Sequence, residues 1–224
     1  MFPRLLRCAA AGLLFVVAAA FAQPAVVRRD GEAIFFTGQI DSTSARQFLR
    51  LVEDPAVRRL VIRSPGGFAV PALDIGEAVH AHGLDVDVDR YCLSSCANYV
   101  FPAGRQKRVS GPGAVGWHGN MAHVLYRQAH GESHWSEDVF AHARELAARE
   151  AAFFRSIGVD GFVCWFAKLP PYGVDGFYTL SPADMAGFGI ADVTVQKPGT
   201  MPPPGVRRVT VDWAALPASR PAAE

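Results

Sequence analysis

From Ala33 onward the chain alternates short apolar runs with stretches of helical periodicity, and this alternation limits its fold more than any other feature. Ala33-Ile34-Phe35-Phe36, after an Asp30-Gly31 turn that joins it to a preceding strand, reads as a strand. Asp41 or Ser42 suits the start of a helix with Ala45, Phe48, Leu49 and Val52 on one face. That helix ends near Asp54-Pro55, because proline disfavours helical geometry in the residue before it. Arg59 to Arg63 is the next strand, and it runs into Ser64-Pro65-Gly66-Gly67. A second helix carries Ala69, Leu73, Gly76, Ala78 and Val79 near one face and closes at Gly83. Strand, helix, strand, helix requires crossover connections, which give an α/β fold with a mostly parallel sheet flanked by helices. At 224 residues and 50% apolar content, the chain fills one core and leaves little for a second.

Further along, residues 84–89 alternate apolar and acidic, with Asp85, Asp87 and Asp89 on the face expected to meet water. A helix is predicted over 94–103, strands at 107–110 and 114–117, and the longest helix over 136–157. That helix carries Val139, Ala143, Leu146, Ala147, Phe154 and Ile157 on one stripe. Ser181-Pro182-Ala183-Asp184 opens a short helix, and residues 190–195 form a closing strand. Residues 197–224 read as a proline-rich, loosely held tail, with one added strand between Val206 and Trp213.

The first 22 residues read as an address. Arg4 and Arg7 precede an apolar run from Ala9 to Phe21, and Ala20-Phe21-Ala22 offers the small residues of a cleavage site. Such a run is shorter than the roughly 20 residues that span a bilayer. The expectation is a cleaved signal peptide over 1–22, export to a periplasmic or secreted location, and a domain over 23–196; an uncleaved membrane anchor is the alternative. Cleavage removes two arginines and no acids, which turns the formal charge from +1 to −1. The basic groups Arg58-Arg59 and Arg105 to Arg108 are short, so nucleic acid is not an expected partner. His130 and His134 stand four apart with Gly131 between them and no carboxylate at ligand spacing, so no metal is expected.

Three strand ends carry the residues suited to chemistry. Gly66-Gly67 allows close backbone approach, and a following helix N-terminus supplies N–H donors for a developing oxyanion. Cys92-Leu93-Ser94-Ser95-Cys96 places two serines at a second strand-to-helix junction, where either can act as nucleophile or simply cap the helix. Gly116-Trp117-His118-Gly119 ends a third strand with a histidine fit to take a serine's proton near neutral pH. Ligand sites of parallel sheets gather at strand ends, and the order Gly-Gly, serine, histidine fits such a site.

In that order, residues from about Ala33 to Val195 resemble the proteolytic subunit of Clp protease and its secreted relatives in the crotonase-like superfamily. Ile34 to Gly38 resembles the opening strand, Leu60 to Gly67 the strand leading into S-P-G-G, and Cys92 to Gly104 the nucleophile helix. Ala114 to His118 resembles the strand that delivers the catalytic histidine, and Leu180 to Asp192 the closing helix and strand. The resemblance implies repeated ββα units and an exported serine peptidase or related acyl hydrolase. In that reading a serine attacks, His118 is its general base, and the Gly67 N–H with the N–H of Ser95 holds the oxyanion. A C-x-S-x-C pattern in secreted relatives makes Ser94 the favoured nucleophile, with Ser95, which the spacing to Ala103-Gly104 favours, as the alternative. The family's aspartate position falls on Phe177, and the nearest carboxylate is Asp175, which makes either an Asp175-containing triad or a dyad. Cys92 and Cys96 either pair as a disulfide or stay free.

The resemblance further implies a homo-oligomer acting on peptides or unfolded proteins, with no cofactor and, once exported, no cytosolic ATPase partner. Two rivals stand beside it. One is a Ser–Lys dyad with Lys168, and the other a catalytically silent scaffold that keeps the fold.

Overall fold

The computed structural model describes residues 24–111, 113–132, 136–197 and 205–216. The expected signal segment 1–22 and His134 lie outside the described residues. Strands β1 (Val26–Asp30) and β2 (Ala33–Thr37) form an antiparallel hairpin through Gly31. β2 pairs in parallel with β3 (Arg59–Ser64), β3 with β4 (Asp85–Leu93), and β4 with both β5 (Lys107–Val109) and β6 (Ala114–Gly116). β8 (Val193–Val195) closes the far edge, giving a seven-stranded sheet in the order β1-β2-β3-β4-β5-β8, with β6 also on β4. The sheet is thus mostly parallel and flanked by helices. No helix among the described residues is long and apolar enough to cross a membrane.

Period-two patterning explains the inner face. Ile34, Phe36, Leu60, Ile62, Val86 and Val88 are fully buried, opposite helices α1 (Ser42–Val52) and α2 (Ala69–Ala81). Each such side chain contributes about 1.5–3 kcal/mol by leaving water. Asp41 caps α1 by accepting from the Thr43 and Ser44 N–H groups, while the Ser44 side chain accepts from the Asp41 N–H in return. Such a cap contributes about 1 kcal/mol. On the outer face the acidic side of β4 meets arginines rather than water alone. Arg108 reaches Asp85 at 3.2 Å and Asp87 at 2.8 Å, Arg105 reaches Asp85 at 2.8 Å, and Arg63 reaches Asp89 at 3.5 Å. Neighbouring strands of a parallel sheet put their outward residues side by side, so opposite charges line up.

β4 runs past its expected end at Asp89 to Leu93. A register shift sets Ile62 opposite Val88 but Ser64 opposite Cys92, so two residues of β3 face four of β4. The extra length carries the chain toward Ser94. The predicted 94–103 helix divides into a π turn (Cys96–Val100) and a short helix α3 (Phe101–Ala103).

After β6 comes α4 (Met121–Ala129), a helix the sequence reading did not anticipate, capped by Asn120. It packs on α5 (Glu137–Ser156), whose buried residues are Ala143, Leu146, Ala147, Glu150, Phe153 and Phe154, while Val139 stays exposed. Two 3-10 turns (Gly161–Cys164 and Phe166–Lys168) and strand β7 (Phe177–Thr179) follow, then α6 (Pro182–Gly187). In the tail, β9 (Val206–Arg208) pairs in parallel with β7. Val209 and Val211 join the core and Trp213 packs on Phe188 at 4.9 Å, so residues 205–216 are held more firmly than a polar tail would be.

Candidate active site

Ser94 sits where β4 ends, with φ +55°. For a residue with a side chain this left-handed backbone costs about 1–2 kcal/mol, and neighbours must hold it. Three ties do so. The Ser94 N–H donates to the Gly116 carbonyl at 2.9 Å, and the Ser94 carbonyl accepts from the Asn98 N–H at 2.9 Å. A Cys92–Cys96 disulfide brackets the turn, with Cα atoms 5.2 Å apart.

Gly66 and Gly67 lie directly against this turn. A Cβ on Gly66, at φ +92°, would stand 2.5 Å from the Leu93 carbonyl oxygen and 2.7 Å from the Ser94 Cβ. A Cβ on Gly67 would fall 1.9 Å from the Ile40 carbonyl oxygen. Only glycines let the two strand ends approach this closely.

The serines divide cleanly. Ser94 Oγ lies 2.8 Å from His118 Nε2. Ser95, 4% exposed, turns inward, where its Oγ accepts from the Gly67 N–H at 2.8 Å and donates to the Gly67 carbonyl at 3.1 Å. This corrects the expectation for Gly67, whose N–H meets Ser95 Oγ instead of facing an open oxyanion position. The Ser95 N–H directly follows Ser94 at the head of the π turn, where the first N–H groups lack intrahelical acceptors.

His118 follows β6 and is placed by its neighbours in sequence. Trp117, fully buried, exchanges two main-chain hydrogen bonds with Tyr178 at 2.9 Å, and its Nε1 donates to the Ala97 carbonyl at 3.1 Å. Asn98 Nδ2 donates to the Gly119 carbonyl at 2.8 Å. The π turn and the histidine segment are therefore stitched together on both sides of His118. Desolvation, followed by the nearby Lys168 cation, holds the imidazole pKa below its ordinary value, so the ring is neutral at pH 7.

Asp175 does not complete the pair. It is exposed, and its main-chain carbonyl accepts from Lys168 Nζ at 2.7 Å. Among the described residues no carboxylate hydrogen-bonds His118. Phe177 stands there instead, its ring centroid 4.6 Å from that of His118. Two chain positions separate Asp175 from Phe177, and the strand β7 that begins at Phe177 brings the ring, not the carboxylate, to the imidazole.

No family model matches the chain, and no curated protein matches it. Among solved structures, methylmalonyl CoA decarboxylase aligns with a TM-score of 0.33 and 9% identity, over 42% of this chain and 48% of that one. The match thus spans about half the length of that protein.

Lys168 is also accounted for. Its Nζ donates to the carbonyls of Val174, Asp175 and Gly176 at 2.7–2.8 Å, which engages all three of its protons. The Ser–Lys rival therefore lacks a free lysine amine to accept a proton from Ser94. Around this region His123 stacks on Trp165 at 5.4 Å, and burial first, then Arg127, Lys168 and His118, pushes its pKa down to about 4.

Glu150 escaped the sequence reading. It is 1% exposed, and its Oε1 accepts from the Tyr99 hydroxyl while both its oxygens lie 3.2 Å from the Met121 N–H. Burial lifts its pKa to about 7 against the lowering effect of those donors. The signal was present in the sequence: Glu150 lies four residues after Leu146 and four before Phe154, inside the apolar stripe.

Proposed function

We propose that this chain is a serine hydrolase of the crotonase-like, Clp-protease type, cleaving peptide or other acyl bonds with Ser94 and His118. The observation that carries the reading is the 2.8 Å approach of Ser94 Oγ to His118 Nε2 on a turn held at φ +55°. Ser94 Oγ attacks the acyl carbon as its proton passes to Nε2, and a tetrahedral oxyanion forms. This reading assigns the Ser95 N–H, at the head of the π turn, as its donor. On collapse the acyl–leaving-group bond breaks, and the imidazolium returns its proton to the departing amine or alcohol. Water, deprotonated by the same nitrogen, then releases the acid and restores Ser94. With Phe177 in the aspartate position, the site works as a dyad. Loss of an orienting carboxylate slows such sites without abolishing them.

The disulfide beside Ser94 favours an oxidising compartment, in keeping with export. Short or unfolded peptides, met without an ATPase partner, are the substrates this reading assigns, and self-association of the chain belongs to it. One observation favours a second reading, a silent scaffold: the Gly67 N–H is already satisfied by Ser95 Oγ.

Treatment of the oxidised protein with a fluorophosphonate separates the two. The expected result is labelling that is lost in Ser94→Ala and His118→Ala and kept in Ser95→Ala. Absence of labelling in the wild type, or labelling that survives Ser94→Ala, overturns the hydrolase reading.

A further inference from the structure

We propose that Glu150 is a positioning residue for the Ser94–His118 pair, joining the nucleophile turn to the histidine segment from a third element. The inference rests on the hydrolase reading for its catalytic consequence, but its structural content stands on contacts alone. Tyr99 lies five residues after Ser94 on the π turn, and Met121 lies three residues after His118 at the first turn of α4. Glu150 reaches both from α5, with Oε1 on the Tyr99 hydroxyl and both oxygens on the Met121 N–H.

A fully buried carboxylate is costly to keep and is tolerated only when it is hydrogen-bonded. A plain packing role at this position would be met by the alanine or leucine found elsewhere on the stripe. Direct ties between the two segments, Asn98 to Gly119 and Trp117 to Ala97, fix them at one level. The Glu150 bridge braces them at a second level and so limits rotation of one segment against the other.

The groups facing Glu150 explain how it can respond to its surroundings. Tyr99 meets it from the π turn, buried Cys164 from the first 3-10 turn, and Asp160 just before that turn. Arg155 comes from α5 itself. A cavity of about 260 Å³, lined by Asn120, Phe154, Arg155, Asp160 and Trp165, adjoins the carboxyl. An ionised carboxylate accepts from Tyr99 and Met121 together. A protonated one turns one oxygen into a donor and weakens one of those bonds. Because its ionisation falls near pH 7, the brace is tightest on the alkaline side of neutrality.

The test compares wild type, Glu150→Gln, Glu150→Ala and Tyr99→Phe. It measures the fluorophosphonate labelling rate per folded molecule and the His118 imidazole resonances across pH. Glu150→Ala is expected to slow labelling about tenfold to a hundredfold, the loss that a small misplacement of reacting groups brings. Glu150→Gln keeps most of the rate, and the inflection near pH 7 disappears from both its labelling profile and its His118 resonances. Wild-type rates in Glu150→Ala, or an inflection that survives in Glu150→Gln, overturn the proposal. Should Glu150→Ala fail to fold, Glu150→Gln and Tyr99→Phe decide it by the same readouts. Should the wild type resist labelling, the hydrolase reading fails alone, and the His118 resonances still decide whether Glu150 is coupled to this histidine.

Discussion

The Phe177 ring lies 4.6 Å from the His118 ring at an interplanar angle of 59°. The contact gives His118 a fixed apolar neighbour and no counter-charge. Phe177→Asp therefore tests the dyad directly. A carboxylate within about 4–6 Å raises an imidazole pKa by about 1–3. The acid limb of the labelling rate should move upward by at least about one pH unit. An unchanged His118 titration in this variant would show that residue 177 does not address the imidazole.

Desolvation and then Lys168 lower the His118 pKa, so the base stays neutral to a lower pH than an ordinary imidazole. Apart from the Glu150 inflection near pH 7, the histidine's own acid limb in the wild-type labelling profile should lie below the ordinary imidazole value of 6.5. Lys168→Met removes the second cause, and the acid limb should shift toward higher pH. The same change releases the carbonyls of 174–176, so thermal stability should fall as well. A limb that stays in place in Lys168→Met would mean that desolvation alone sets the histidine.

The Cys92–Cys96 bridge closes a loop around Ser94, a residue already held in a left-handed conformation. Loop-closure entropy for so short a ring corresponds to about 2 kcal/mol of stability. The Cys92→Ala/Cys96→Ala double variant should lose about that much in chemical denaturation. It should lose proportionally more labelling, because Ser94 can then relax out of φ +55°. Equal labelling rates per folded molecule with and without the bridge would assign the disulfide to stability alone.

The parallel sheet and its helices were legible because period-two and period-3.6 patterns of Ile34, Phe48, Leu60 and Leu73 depend only on local order along the chain. Ser94 and His118 were legible as strand-end residues, and the resemblance favoured Ser94, but the choice between Ser94 and Ser95 was not decided by local pattern alone. It depends on which hydroxyl the β3–β4 register shift and the π turn aim at Gly67, and both are tertiary effects. Asp175 misled for the same reason, since two chain positions suffice to place a side chain outside hydrogen-bonding reach. Helix α4 was missed because of its modest apolar content, with Leu125 its one buried residue. Its start depends on the Asn120 cap and on Glu150, which lies 29 positions after Met121 in sequence.

A buried group and a half-buried one should pull the stability of this protein in opposite directions as pH changes. Glu150 has a folded pKa of about 7 against 4.5 when unfolded, so between those values the native state holds a proton that the unfolded state has released. Stability contributed by this group therefore falls as pH rises through that window, by up to about 3 kcal/mol. His123 has a folded pKa of about 4 against 6.5, so in its window the unfolded state holds the extra proton, and stability rises with pH. Its effect is smaller than the pKa difference alone suggests, because the ring is only partly buried and solvent screens it. Across the overlap, pH 4.5 to 6.5, the two slopes oppose, and His123 offsets only part of the fall due to Glu150. Glu150→Gln removes one side of the balance. Relative to wild type it should gain up to about 3 kcal/mol on passing from acid to alkaline solution. His123→Phe, which keeps an aromatic ring on Trp165, should instead gain stability at acid pH. Urea denaturation of the three proteins at acid and alkaline pH measures both differences. Parallel stability curves for all three would show that neither group changes its ionisation on folding.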